Sequence, residues 1–313
     1  MILRSVCTIF ATNMMKRYLN IVMLCLLTLS LAACSGKVKQ NRESKPVLSV
    51  TIQPQCFFVE QIVGDKMQIN CVVPAGQSPE TYEPTPQEMV TISKSDAYLR
   101  IGSIGFELAW MQKIEENNPN MKVFDLSEGM KLLATPEVAG ENEAEEHHEH
   151  GAQDPHIWNS IAGAKLIAQN ILKAVVALDP SNAAYYRANE QKLLQRIDQT
   201  QAQVDSLLKP LQTKAFIIYH PALTYFAAEN GLQQLCIEMN GKEPSPAQLE
   251  LLVKTAKSSG AKVAFIQMEF DQKNAELIAK ETGCQLMRID PLAKDWDTSM
   301  IHIAKALADG ETH

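Results

Sequence analysis

The chain has 313 residues, 46% of them hydrophobic, and a formal net charge of −7. That length suffices for two domains of typical size, each with its own core. The mildly acidic balance argues against a nucleic-acid binder, which would present a basic face to the phosphates.

The N-terminus reads as an export signal. Lys16 and Arg17 precede an apolar stretch from about Ile21 to Ala33, and Cys34 follows. The stretch is short of the roughly 20 residues a comfortable membrane span needs. A basic start, a short apolar core and small residues before a cut mark a secretory signal. The "LAAC" of Leu31 to Cys34 resembles a bacterial lipobox, so Cys34 is the expected lipidation site and first mature residue. An ordinary signal peptide and an apolar anchor helix are the alternatives. Residues 1–33 are therefore assigned to the signal, and the polar, basic residues 34–47 to a flexible tether.

Cys56, Cys71, Cys236 and Cys284 form no CxxC pair, which argues against a cysteine zinc site. Export permits disulfides, with Cys56 and Cys71, or Cys236 and Cys284, as candidate pairs; buried free thiols are an equal reading.

From residue 48 the chain alternates. "VLSVTIQP" is expected as a strand, "QCFFVEQIVGD" as a helix and "MQINCVVPAG" as a strand. The stiff, proline-rich "GQSPETYEPTPQE" leads into the helix "PQEMVTISKSD". The strand "AYLRIG", the helix "FELAWMQKIEENN" and the strand "KVFDLS" follow. Such alternation predicts a parallel sheet with crossover helices. Residues 136–153 break it; they are acidic, histidine-rich and poor in large apolar side chains, and read as a loop.

A helix then runs to Asp179-Pro180. Leu193, Leu194, Ile197, Val204, Leu207 and Leu208 recur at helical spacing within residues 181–210. Ser181 or Asn182 is the expected cap and Pro210 the stop. At 1.5 Å per residue this helix reaches on the order of 40 Å, enough to bridge two lobes. Residues 211–313 repeat the strand–helix alternation. The expected fold is α/β, with an N-terminal lobe over 48–180, a linking helix over 181–210 and a C-terminal lobe over 211–313. Each lobe is a parallel sheet with flanking helices.

Ligands of parallel sheets gather beyond the carboxyl ends of the strands. Glu80 falls there after the second strand, and His156 after the histidine-rich loop. His220 follows "KAFIIY" and Asp290 follows "CQLMRI". Imidazole and carboxylate suit first-row divalent metals, and four donors complete a tetrahedral shell. Two carboxylates would offset the +2 charge of a buried ion. A proline beside His156, His220 and Asp290 stiffens each backbone. Taken singly, these residues are ordinary turn residues, a helix stop and a solvated carboxylate; their shared placement carries the metal reading. His147, His148 and His150 in "EEHHEH" form an auxiliary candidate that would bind zinc or copper loosely, with a solvated acidic linker as the alternative.

The stretches "TYEPTP" (81–86), "DPHIW" (154–158), "YHPALTYFA" (219–227), "GKEPSP" (241–246) and "IDPLAKDW" (289–296) occur in order. With the lipobox and the loop, the chain resembles the TroA-type solute-binding proteins of zinc/manganese ABC transporters along essentially all its mature length. The resemblance implies two lobes on a rigid backbone helix and one metal ion between them. It also implies a monomeric lipoprotein of the cell envelope, facing the periplasm or exterior, that passes the metal to a membrane permease. His156, His220 and Asp290 match family ligand positions, and Tyr82 and Glu83 stand where the family places supporting residues. The family usually has histidine where this chain has Glu80. Carboxylate in that place moves preference toward Mn2+ or Fe2+, whereas intrinsic affinity and the histidine loop favour Zn2+, the expected metal. A water filling the fourth place, with Glu80 not bound, is the other arrangement.

No catalysis is expected. A metallohydrolase using three of these ligands, a bound water and Glu83 as base would be the enzymatic alternative, but HExxH or a comparable motif is absent from the sequence. A surface adhesin is a third class, which no residue here supports.

Overall fold

The computed structural model describes residues 45–135, 153–238, 244–270 and 272–311. The signal, Cys34, most of the tether, His147, His148, His150 and residues 241–243 of "GKEPSP" lie outside them.

The first sheet holds β1 (Val47–Val50), β2 (Gln68–Cys71), β3 (Ala97–Arg100) and β4 (Lys122–Asp125) in the order β2-β1-β3-β4, all parallel. Its helices are α1 (Gln53–Val63), α2 (Pro86–Ile92) and α3 (Gly105–Asn117). The second sheet holds β5 (Ala215–Ile218), β6 (Gln233–Cys236), β7 (Val263–Gln267) and β8 (Gln285–Ile289) in the matching order β6-β5-β7-β8, again parallel. Its helices are α6 (Thr224–Glu229), α7 (Pro246–Ser258) and α8 (Gln272–Thr282). Both orders reverse between the first and third strands, which opens a crevice at the carboxyl ends of those strands. The central strands β5 and β7 are buried at every position and are apolar up to Gln267 at the end of β7, as parallel strands covered on both faces are.

Local signals fix the entry to α2. Thr85 caps it, Glu88 closes a capping box and Pro86 takes the first helical position. Three further helices are α4 (Ile161–Leu178), α5 (Ala183–Leu208) and α9 (Trp296–Gly310). The 26 residues of α5 match the long linking helix. Its expected cap is absent: Asn182 makes no side-chain bond to the helix. Ser181, Asn182 and Tyr186 instead donate to the Asp179 carboxylate, whose pKa they hold down at about 2. A nearby carboxylate has captured the polar groups that would otherwise have turned toward the helix.

A smaller apolar cluster around Ile217, Ala264 and Ile278 belongs to the second lobe alone, and a larger core runs through both. The larger core joins Leu48 and Val50 of the first sheet, Phe216 and Ile218 of the second, and Trp158 and Trp296 between them. Arg196 on α5 adds a fork to Asp297 at 2.8 and 2.9 Å and lies 4.8 Å over the Phe57 ring. Bidentate geometry of this kind is directional as well as charged. The four described cysteines are free thiols, Cys56 and Cys284 buried, Cys71 and Cys236 half-buried.

Candidate metal centre

His156 leaves the loop and enters a single 3-10 turn, Ile157–Asn159, ahead of α4. Asp154, 1% exposed, accepts from the His156 backbone N–H at 2.8 Å and faces its Nδ1 at 2.9 Å. Burial opposes charge on both groups. Even so, Asp154 holds the His156 pKa above its ordinary value, and His156 holds Asp154 below. The segment is stapled to the second lobe. Trp158 Nε1 donates to the Pro291 carbonyl (2.9 Å), Trp296 Nε1 to that of Trp158 (2.6 Å), and Tyr225 Oη to that of Asp154 (2.8 Å). Glu229 accepts from the first two amides of α4 at 2.8 Å each, where the helix dipole favours a carboxylate.

His220 follows β5. Gln267 holds its backbone from both sides, accepting from His220 N–H at 3.2 Å and donating to its carbonyl at 2.7 Å. Its Nδ1 faces Glu238 Oε2 at 3.1 Å, and its ring stacks on Phe270 with centroids 5.1 Å apart and planes 18° off parallel.

These supports aim the two Nε2 atoms at each other, 3.2 Å apart. A carboxylate at each Nδ1 favours the proton there and leaves Nε2 as the donor atom. Two lone pairs at that distance repel unless a proton or cation sits beside them. Zn–N bonds of 2.0–2.1 Å at tetrahedral angles put two nitrogens roughly 3.3 Å apart. The observed spacing therefore suits a zinc-sized ion with little rearrangement.

Glu80 comes from the proline-rich stretch, which is pressed against the start of α3. Phe106 N–H donates to the Pro79 carbonyl (2.9 Å), and Gly105 N–H to Glu80 Oε2 (3.0 Å). A Cβ on Gly105 would stand 2.6 Å from the Glu80 carbonyl oxygen and 2.9 Å from its Cα, so only glycine permits this approach. The other carboxylate oxygen, Oε1, is buried and has no hydrogen-bond partner among the described residues. Glu80, His156 and His220 line one cleft of about 330 Å³, together with Trp158, Glu269 and Phe270.

Asp290 stands apart from these walls, which include its neighbours Pro291 and Leu292. Its Oδ1 accepts from Leu292 N–H at 2.9 Å, and burial pushes its pKa up. Tyr82 donates to Glu88 at 2.8 Å and lies beside Phe106, so it braces the cap of α2; Glu83 is exposed. Among the described residues no three histidine, cysteine, aspartate or glutamate side chains converge closely enough to enclose an ion as they stand. Sequence reasoning missed Asp154, Glu238, Gln267, Glu269 and Phe270. The rule that singled out the other candidates, position beyond a strand's carboxyl end, applies equally to the residues after β7.

The zinc-uptake complex component A (periplasmic) family matches residues 48–310. A crystal structure of ZnuA superposes with a TM-score of 0.77 at 35% identity, covering 84% of this chain and 98% of that one. The high-affinity zinc uptake system protein ZnuA of Bacillus subtilis is 29% identical over 90% of this chain and 92% of its own. The manganese ABC transporter substrate-binding lipoprotein PsaA of Streptococcus anginosus is 27% identical over 86% of this chain and 87% of its own. A match of this extent, on a fold with two like sheets and a histidine pair between them, places the chain in the zinc-uptake complex component A family of ABC-transporter solute-binding proteins.

Proposed function

We propose that this protein captures one divalent ion, zinc, in the cleft between its two sheets and delivers it to a membrane permease. The facing Nε2 atoms of His156 and His220, spaced as two corners of a tetrahedral zinc site, carry the reading. Glu80 Oε1 is the third donor, because it is buried in the same cleft with no described residue bonded to it. Asp290 is the fourth and must swing toward the cleft to bind. Both imidazoles must present a free Nε2 to bind, so protons compete with the metal and affinity falls as the pH falls. Cys34 anchors the mature chain, α5 bridges lobes bounded near residues 180 and 211, and the histidines of 147–150 gather metal without forming the tight site. The protein performs no catalysis and works as a monomer.

Zinc is favoured over manganese by two imidazoles, and Glu80 is the residue that tempers this preference. Elemental analysis of the purified mature chain, with competition between zinc, manganese and iron, tests the assignment. One tightly held ion per chain, zinc above manganese, is expected. Deleting residues 141–150 should lower only the excess metal. Glu80→His should raise the zinc-to-manganese ratio about tenfold, or 1.4 kcal/mol; an unchanged ratio removes Glu80 from the ligand set.

A further inference from the structure

The geometry points to Glu269, on the turn after β7, as an additional metal-binding carboxylate of the cleft that sets its tolerance for oxygen-preferring ions such as manganese. This inference rests on the metal-capture reading above and goes beyond its four ligands.

Glu269 shares the cleft wall with Glu80, His156 and His220. Its position is registered to one of the ligands from both sides. Gln267, two residues before it, grips the His220 backbone with two hydrogen bonds, and Phe270, next after it, stacks on the His220 imidazole. Phe270 also packs on Tyr219, centroids 5.1 Å apart, and its N–H returns to the Gln267 carbonyl. The turn is thus built to hold residue 269 at a fixed place relative to His220.

The carboxylate itself is uncommitted. Among the described residues it accepts only from its own backbone N–H. The Asp290 carboxylate lies near enough for its charge to oppose that of Glu269. None of Glu80, Glu269 and Asp290 forms an ion pair with Lys, Arg or His among the described residues. The Glu269 and Asp290 carboxylates, both half-buried, lie near each other with no Lys or Arg paired to either among the described residues, an arrangement that a bound cation would stabilise. Asp290 has one oxygen tied to Leu292 and lies off the wall, whereas Glu269 faces the cleft and has one more methylene of reach. An oxygen donor here, added to Glu80, gives the site the oxygen-rich side that harder ions prefer.

The test compares wild type with Glu269→Gln and Glu269→Asp in the mature chain. It measures competition affinities for Zn2+ and Mn2+, the visible spectrum of the Co2+-loaded protein, and the melting temperature without metal. Glu269→Gln is expected to weaken Mn2+ binding about tenfold, to weaken Zn2+ less, and to change the Co2+ band. Glu269→Asp should reproduce part of each change, and the metal-free melting temperature should hold or rise. Wild-type affinities for both ions with an unchanged Co2+ spectrum would make Glu269 a solvated rim residue and overturn the inference while leaving metal capture intact. Failure of the wild type itself to bind any of the three ions would overturn both.

Discussion

A variant carrying His156→Ala and His220→Ala is expected to leave dialysis with no stoichiometric zinc, whereas the wild type keeps about one ion per chain. Both donor nitrogens of the histidine pair vanish in the variant, and two carboxylates remain with no nitrogen between them. Loss of a hydrogen-bond partner behind a ligand typically costs 10–100-fold in metal affinity. Asp154→Asn and Glu238→Gln should therefore fall in about that range, well short of the double variant. The double variant also strips Asp154, 1% exposed, of its ring partner. Its bond from the backbone N–H of residue 156 survives, but a lost charged partner still weakens a buried carboxylate, so the metal-free melting temperature must be recorded beside the binding. Retention of wild-type affinity would contradict the assignment of these histidines.

Gly163→Ala should lower both stability and metal affinity. Replacing a helical glycine with alanine ordinarily stabilises by up to about 1 kcal/mol. Here the sign reverses. A Cβ at Gly163 would lie 1.8 Å from the Ile157 carbonyl oxygen and 2.7 Å from its carbon. That carbonyl belongs to the 3-10 turn directly after His156, and Ser160 Oγ donates to it at 3.0 Å. Backbone cannot rotate away as a side chain can, so the turn must shift, and with it Trp158 and its bond to Pro291. Overpacking of this kind costs about 1–3 kcal/mol, which in a chain of this size lowers the melting temperature by several degrees, at roughly 2–4 °C per kcal/mol. Displacement of His156 should lower zinc affinity in the same variant. A melting temperature at or above that of wild type would show that the turn does not pack against α4 as described.

The fold was legible wherever the physics is local. Buried strands such as "AFII" and "VAFI" before Gln267 are unbroken apolar runs, and Thr85, Pro86 and Glu88 spell a helix start. The long α5 followed from the spacing of Leu193, Ile197, Val204 and Leu208. The cap of α5 was not legible, because the choice by Asn182 of Asp179 over the helix depends on a competing carboxylate three residues back.

The site divides in the same way. His220 and Glu80 were found from their places at strand ends and His156 from its place after the histidine-rich loop, and the three line one cleft. Asp290 was found by the same rule, but its carboxylate turns back to Leu292, which depends on the loop conformation after Asp-Pro. Asp154 orients its ring through a local turn two residues before His156, whereas Glu238, Gln267 and Phe270, which fix His220, act through contacts formed only when the second lobe folds. The closeness of Gly105 to Glu80 and of Gly163 to Ile157 is likewise a property of packing, and neither glycine stands out in the sequence. The proline-rich stretch does its work indirectly: Tyr82 and Glu88 brace α2, and Pro79 and Gly105 set where Glu80 points.

The most direct test is anomalous diffraction at the zinc absorption edge from crystals of the zinc-loaded mature chain. One strong peak is expected between His156 Nε2 and His220 Nε2, about 2.0–2.1 Å from each, with a Glu80 carboxylate oxygen on a third side. A peak at any other place in the molecule, with none between the two histidines, would contradict the proposed site.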